Sequence, residues 1–253
     1  MIISHQNQFI FIHCRKVAGS SMKVCLAPYL SPEDLMLGSL QEVWSGEWFT
    51  EPRILREALS RDGVRELASG ALRGRSWRDS LNKAVKRRHK RRYGLSSSGH
   101  PPAKEVKSAF PTEWERYFKF CFVRNPFERA VSDYLYLCRN SSDSISFSSF
   151  LLRLEKIGED HHGRSKYDNW PMYTIDNQVA VDFIGRYENI ADDFENVGQR
   201  IGLPGLALTA SEKRRDYPVP WHRYYERGDR ERVERIYHHE IEAFGYQFQP
   251  DCA

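Results

Sequence analysis

Two short stretches of this chain carry the residue types that hold phosphate-like anions. The first is Arg15-Lys16-Val17-Ala18-Gly19-Ser20-Ser21, which follows an apolar run at residues 9–12. A strand, a small-residue turn and a helix start present free backbone N–H groups to an anion, and the helix N-terminus adds a positive partial charge. Gly19 permits close backbone approach. Ser20 and Ser21 can cap the helix or offer hydroxyls to a phosphate, and Lys16 supplies a mobile full charge. The lysine precedes the glycine, so this is not the G-x-x-x-x-G-K-[ST] loop, and by itself the stretch reads equally well as an ordinary capped helix. The second stretch is Arg124-Asn125-Pro126, directly after the aromatic run at 117–123. Asn125 suits an N-cap and Pro126 the first helical position. Arg124 then sits at the C-terminal tip of a strand, with Ser132 two turns into the next helix. Ligands of open parallel sheets bind at that edge.

The elements that must position these groups follow from periodicity. Strands are expected at 9–14, 117–123 and 179–187, and residues 1–8 read as a polar lead-in. Helices are expected at 20–29, 77–93, 104–110, 126–137, 190–201 and 229–244, with a further apolar helix through Phe150 and Leu154. Residues 31–74 are harder to read. Trp44, Trp48 and Phe49 suit a packed irregular segment, and 52–67 has helical spacing. The helix at 77–93 carries Lys83, Lys86, Arg87, Arg88, Lys90, Arg91 and Arg92. A solvated cationic face is favoured there over a funnel for an anionic substrate. The loop Gly94 to Pro102 isolates His100. His161-His162 read as surface histidines rather than metal ligands.

With 253 residues and 40% hydrophobic content the chain can bury a real core. Its formal charge of +4 is too small to imply nucleic-acid binding. Five cysteines without short-range pairing read as core thiols in a reducing compartment. No signal-like N-terminus is present, and no run approaches the roughly 20 apolar residues that span a bilayer. The expectation is a soluble, cytoplasmic chain or a piece cut from a longer protein.

FIHCRKVAGSS resembles the 5′-phosphosulfate loop of the sulfotransferases that use 3′-phosphoadenosine 5′-phosphosulfate (PAPS), and FVRNPFERAVSDY resembles their 3′-phosphate motif. DFIGRYENIADDF and WHRYYERGDRERVERIYHHEIEAFGYQF resemble the carbohydrate-type branch of that family. The resemblance covers the first thirty residues and most of 100–248, and leaves 31–99 unmatched. It implies one domain over 1–253, α/β, with a central parallel sheet flanked by helices in a P-loop-NTPase-like sulfotransferase fold. A loop and helix insertion falls at about 31–99. It further implies that Lys16 contacts the bridging oxygen and sulfuryl group. Arg15, Gly19, Ser20, Ser21 and nearby N–H groups would hold the 5′-phosphate, and Arg124 and Ser132 the 3′-phosphate. Arg223 and Tyr224 would close over the nucleotide, and His100, in GHPPAKEV, would be the base. Asn169-Trp170 stands where the family often has His-Trp, which leaves the acceptor contacts open.

The implied reaction moves a sulfuryl group from PAPS to a hydroxyl, foremost on a carbohydrate or glycoconjugate, and calls for no metal. A small-molecule acceptor, a nucleotide-dependent kinase and a non-catalytic polyanion-binding module are the alternatives. The sequence names neither the acceptor nor the oligomeric state.

Overall fold

The structure is a computed structural model, and it describes residues 1–40, 59–140, 145–156, 167–209 and 219–249. The expected features at Trp44, Trp48, Phe49 and His161-His162 lie outside the described residues.

Apolar runs become strands where consecutive side chains can be buried on both faces. β1 (Ile2–Ser4), β2 (Phe9–Phe11), β3 (Leu35–Met36), β4 (Phe118–Val123) and a later strand, Phe183–Arg186, make a five-stranded sheet. β2 pairs in parallel with β4, Phe9 opposite Phe118, and β4 pairs in parallel with Phe183–Arg186, Phe120 opposite Phe183. β1 runs antiparallel to both β2 and β3. The sheet is therefore mostly parallel, with one reversed strand. Phe9, Ile10, Phe11, Phe120, Cys121 and Phe122 are all fully buried, as expected for strands covered on both faces.

Residues 1–8 are not a polar lead-in. Met1, Ile2 and Ile3 are fully buried, and the terminal ammonium donates to the Leu37 carbonyl at 3.2 Å. Three residues are too few to display a period, which is why the strand does not announce itself. Buried Asp34 accepts from the Ser4 hydroxyl at 2.9 Å and the His5 N–H at 2.6 Å, closing the turn into β2.

The parallel strands fall where expected, although β2 ends at Phe11, short of the expected 9–14, and β4 starts at Phe118 within the expected 117–123. The expected strand at 179–187 is instead two pieces. A small hairpin of β5 (Thr174–Ile175) and β6 (Gln178–Val179) precedes β7, which is the Phe183–Arg186 strand. Gly185 in β7 leaves room for the Phe122 ring, since a Cβ there would come within 2.4 Å of it.

Helix α1 (Gly19–Leu26) follows β2. α2 (Arg61–Leu72) and α3 (Trp77–Tyr93) form a hairpin, each started by a serine whose hydroxyl accepts an N–H three residues on, Ser60 from Gly63 and Ser76 from Asp79. The Ser60 cap sets the start of α2 at Arg61, and the helix runs five residues beyond the expected 52–67 stretch. α4 (Ala103–Ala109) and α5 (Pro111–Arg116) lead into β4, and α6 (Pro126–Asn140) leaves it. α7 (Phe147–Lys156), α8 (Trp170–Tyr173) and α9 (Ile190–Arg200) complete the middle of the chain.

The expected single helix at 229–244 is broken at Tyr237 into α10 (Asp229–Ile236) and α11 (His238–Phe244). Packing overrides the helical period there. The break brings both Tyr237, whose ring lies 4.7 Å from the Arg129 guanidinium, and Glu240, which pairs with it, onto one buried arginine. Among the described residues no helix is long and apolar enough to cross a membrane.

Candidate functional site

The C-terminal ends of β2, β4 and β7 lie side by side, and three segments leave the sheet there. The first, residues 12–19, turns sharply into α1. Lys16 and Ala18 both have left-handed backbones, φ 60° and 59°, though neither is glycine. Alternating conformations of this kind turn successive N–H groups to one side and make a concavity suited to an anion. Gly19 is fixed by crowding. A Cβ on it would lie 2.0 Å from His13 Cδ2, so only glycine lets α1 start against the His13 ring.

Asn169, fully buried at the start of α8, clamps this loop from behind. Its Oδ1 accepts from the Arg15 N–H at 2.9 Å and its Nδ2 donates to the Arg15 carbonyl at 3.1 Å. The Arg15 guanidinium donates to buried Asp133 at 3.3 Å and lies 5.4 Å from the Tyr167 ring.

The second segment leaves β4 at Arg124, which is 7% exposed. Asn125 caps α6 as expected, its Oδ1 accepting from the Phe127 N–H at 3.0 Å. Arg124 Nη1 donates to the Lys16 carbonyl at 3.2 Å, its guanidinium pairs with Glu128, and it stacks 4.0 Å from the Tyr187 ring just beyond β7. Glu128, Ser132 and Tyr136 recur every fourth residue on α6 and so share one face. Glu128 meets Arg124 at one end of that face, and Lys16 Nζ sits 4.6 Å from the Tyr136 ring at the other. Ser132, half-buried, lies between them.

His100 reaches the loop from the segment between α3 and α4. Its Nδ1 lies 2.6 Å from the His13 carbonyl. A carbonyl only accepts, so Nδ1 carries the proton and Nε2 keeps its lone pair. The two histidine rings meet edge to face at 4.8 Å. Burial, and then the Arg15 charge, push the His100 imidazole down to about 3, against the lift given by the His13 carbonyl. The ring is therefore neutral at pH 7, as a proton acceptor must be.

Arg223 and Tyr224 lie in a 3-10 turn, Trp221–Tyr224. The Tyr224 ring meets Tyr134 of α6 at 6.1 Å, and the neighbouring Tyr225 hydroxyl donates to the Phe127 carbonyl at 2.7 Å. The turn thus rests on α6, with Arg223 exposed.

Lys16, Gly19, Arg124, Ser132 and His100 are thereby gathered around one loop, with Ser20 and Ser21 in the first turn of α1. Sequence reasoning missed Glu128 and Tyr136, although their spacing from Ser132 was a readable signal. It also missed Asp133 as the partner of Arg15, and Asn169 as a clamp. The 154 residues between Asn169 and Arg15 left no local signal. Among the described residues no group of three or more His, Cys, Asp or Glu side chains could hold a metal ion.

An uncharacterised protein of Archaeoglobus fulgidus is 38% identical over 97 residues, covering 36% of this chain and 72% of that protein. No solved structure matches. The model of the sulfotransferase family matches residues 1–247, and with that span the chain belongs to the sulfotransferase family.

Proposed function

We propose that this protein transfers a sulfuryl group from PAPS to a hydroxyl, on a carbohydrate or glycoconjugate foremost, in a site of P-loop-like design. The observation that carries the reading is the bond from Arg124 to the Lys16 carbonyl. It joins the two anion motifs closely enough for one adenosine bisphosphate to meet both.

The residues present fit such a donor. The left-handed backbone at Lys16 and Ala18 and the start of α1 supply N–H donors for a 5′-phosphate. Arg124 and Ser132 supply a charged and a neutral donor for a 3′-phosphate, Arg124 exchanging part of its contact with Glu128 for the new anion. When bound, PAPS supplies the activated sulfuryl group and a good leaving group. Lys16 places a cation where negative charge grows as the bond to the phosphate breaks. Arg15, engaged by Asp133 and Asn169, holds the loop in shape and adds positive potential. Arg223 and Tyr224 close the nucleotide side.

His100 Nε2 takes the proton of the acceptor hydroxyl while Nδ1–H stays on the His13 carbonyl. Its basicity is low in the free protein because Arg15 adds to the effect of burial. A bound anion beside Arg15 offsets that field and raises the affinity of the ring for a proton.

The test is a thermal melt with adenosine 3′,5′-bisphosphate, followed by mass spectrometry of hydroxyl acceptors incubated with PAPS and the enzyme. A higher melting temperature and an acceptor heavier by one sulfuryl group are expected. No stabilisation by the bisphosphate would overturn the reading.

A further inference from the structure

The charge of this chain is concentrated in one place. Residues 59–93 hold twelve basic and three acidic side chains, a net +9, while the whole chain is +4, leaving −5 on all other residues. These are the residues of the α2–α3 hairpin. α3 is tied to the body by its buried face, through Leu81, Ala84 and Val85 and through Asn82, whose Oδ1 accepts from the Leu40 N–H at 3.0 Å.

The hairpin tip is unlike a solvated helix end. Leu72 is 89% exposed and Trp77 46% exposed, and Arg73, Arg75 and Arg78 are interleaved with them. Further along, Leu59 is 79% and Val64 55% exposed. Half of the large apolar side chains that the described residues expose therefore lie on this one hairpin. A cleft of about 440 Å³ between the helices adds Arg65 and Arg88 to its wall.

The geometry points to the α2–α3 tip as a docking surface for an anionic lipid bilayer. Arginines interleaved with Trp and Leu match the interface of such a membrane, where guanidinium groups meet phosphates and the apolar side chains enter the boundary below them. A soluble polyanion would use the charge but gain nothing from an exposed Leu72. α3 is 17 residues long, so its tip stands about 24 Å from its Tyr93 end by helical rise, and that end feeds the His100 loop. Docking at the tip would hold the loop that carries His100 at a fixed height above the lipid, where an acceptor anchored in the membrane could be met. The docking itself is independent of the sulfuryl-transfer reading.

The experiment is co-sedimentation of the whole chain with phosphatidylcholine vesicles, with and without phosphatidylglycerol. Binding is expected only with phosphatidylglycerol, together with quenching of tryptophan fluorescence by brominated lipid that is lost in Trp77→Phe. Leu72→Ser with Trp77→Ser should weaken binding by about tenfold. Arg73→Gln and Arg78→Gln together should weaken it by about 25-fold, roughly fivefold for each charge. Leu72, Arg73, Trp77 and Arg78 are all exposed, so melting temperatures and the response to adenosine 3′,5′-bisphosphate should not change. Absence of binding to phosphatidylglycerol vesicles would overturn the proposal. So would binding that heparin or RNA displaces and that the Leu72 and Trp77 variants leave intact, because the surface would then serve a soluble polyanion.

Discussion

The Arg124 guanidinium donates to the Lys16 carbonyl at 3.2 Å, so two motifs 108 residues apart in the chain are one hydrogen bond apart in space. The bond also links the conformations of the two segments. Lys16 holds a left-handed backbone, and Arg124 fixes its carbonyl.

Arg124→Ala is therefore expected to do two things. It removes the proposed phosphate donor and loosens the turn that carries Lys16. Turnover should fall by roughly two to three orders of magnitude, as when a preorganised donor to a charged centre is lost. Lys16→Ala should match that fall in rate while retaining more of the stabilisation by adenosine 3′,5′-bisphosphate. Ser132→Ala, which disturbs no ion pair, should weaken nucleotide binding alone. Rate assays paired with thermal melts separate the three. Equal melting responses in all of them would contradict the division of labour.

His100 makes a pH prediction. Its folded value of about 3 lies below the ordinary 6.5. Between those values the unfolded chain holds a proton that the folded chain does not. The contribution of His100 to stability is thus complete above pH 6.5 and is lost as pH falls toward 3. His89, brought down to about 4 by burial and then by Arg88 and Arg92, acts in the same direction and remains in a His100 variant. His100→Gln should flatten, without abolishing, the loss of stability on acidification. Urea titrations across that window measure it. In an NMR titration the His100 ring protons should not shift near pH 6.5, and a midpoint there would refute the lowering of His100 by its surroundings and the Arg15 charge.

Asn169 is expected to act on the loop without touching a ligand. Asn169→Ala leaves a part-buried N–H and a part-buried carbonyl of Arg15 without these partners, at a cost of about 1 kcal/mol for such a group. Asn169→Asp keeps the acceptor and loses the donor, so it should be intermediate in stability. Both should weaken nucleotide binding more than they affect the proton step. Calorimetric melts and titration with adenosine 3′,5′-bisphosphate provide the comparison.

Much of this site was legible in the sequence because each motif is local. Small residues after an apolar run and Asn-Pro after an aromatic run specify a turn and a helix start without reference to the rest of the chain. The three parallel strands were visible for the same reason, since buried runs such as Phe120-Cys121-Phe122 are apolar on both faces. What escaped is long-range or too short to show a period. Ile2–Ser4 has three residues. The bonds of Asn169 to Arg15 and of Arg129 to Glu240 connect residues 154 and 111 apart. The break at Tyr237 follows from what the helix must reach rather than from its own propensity. The basic helix at 77–93 was readable, but its pairing with Arg61–Leu72 and the exposed Leu72 and Trp77 at the turn depend on packing that the sequence does not display.

Gly19 tests the steric argument. In Gly19→Ala the new methyl group would enter the space of the His13 imidazole edge, 2.0 Å from Cδ2. Either the ring or the start of α1 must move, at a cost of about 1–3 kcal/mol. The His13 carbonyl holds Nδ1 of His100, so the displacement should also disturb the proposed base. The variant is expected to lose nucleotide binding and turnover together. An alanine variant with wild-type activity would show that the ring yields without consequence.

Arg129 and Glu240 form a fully buried ion pair, joined by the Tyr173 hydroxyl, which donates to Glu240 Oε1 at 2.8 Å. Burial raises the Glu240 carboxyl and works against its charge, and Arg129 opposes that effect. Removing one partner leaves the other charge buried and unbalanced, so Arg129→Met should cost about 3–5 kcal/mol. Replacing both, Arg129→Met with Glu240→Leu, should recover most of that loss, because an apolar pair of similar volume avoids the desolvation penalty. Recovery of stability need not restore the site. Asp133, which holds Arg15, also lies in the field of Arg129, so the double variant takes away a cation beside the residue that anchors the loop. The double variant should thus melt close to the wild type yet bind adenosine 3′,5′-bisphosphate more weakly. Urea unfolding and nucleotide titration on the same preparations decide it, and a double variant no more stable than Arg129→Met would show that the pair is not an isolated electrostatic unit.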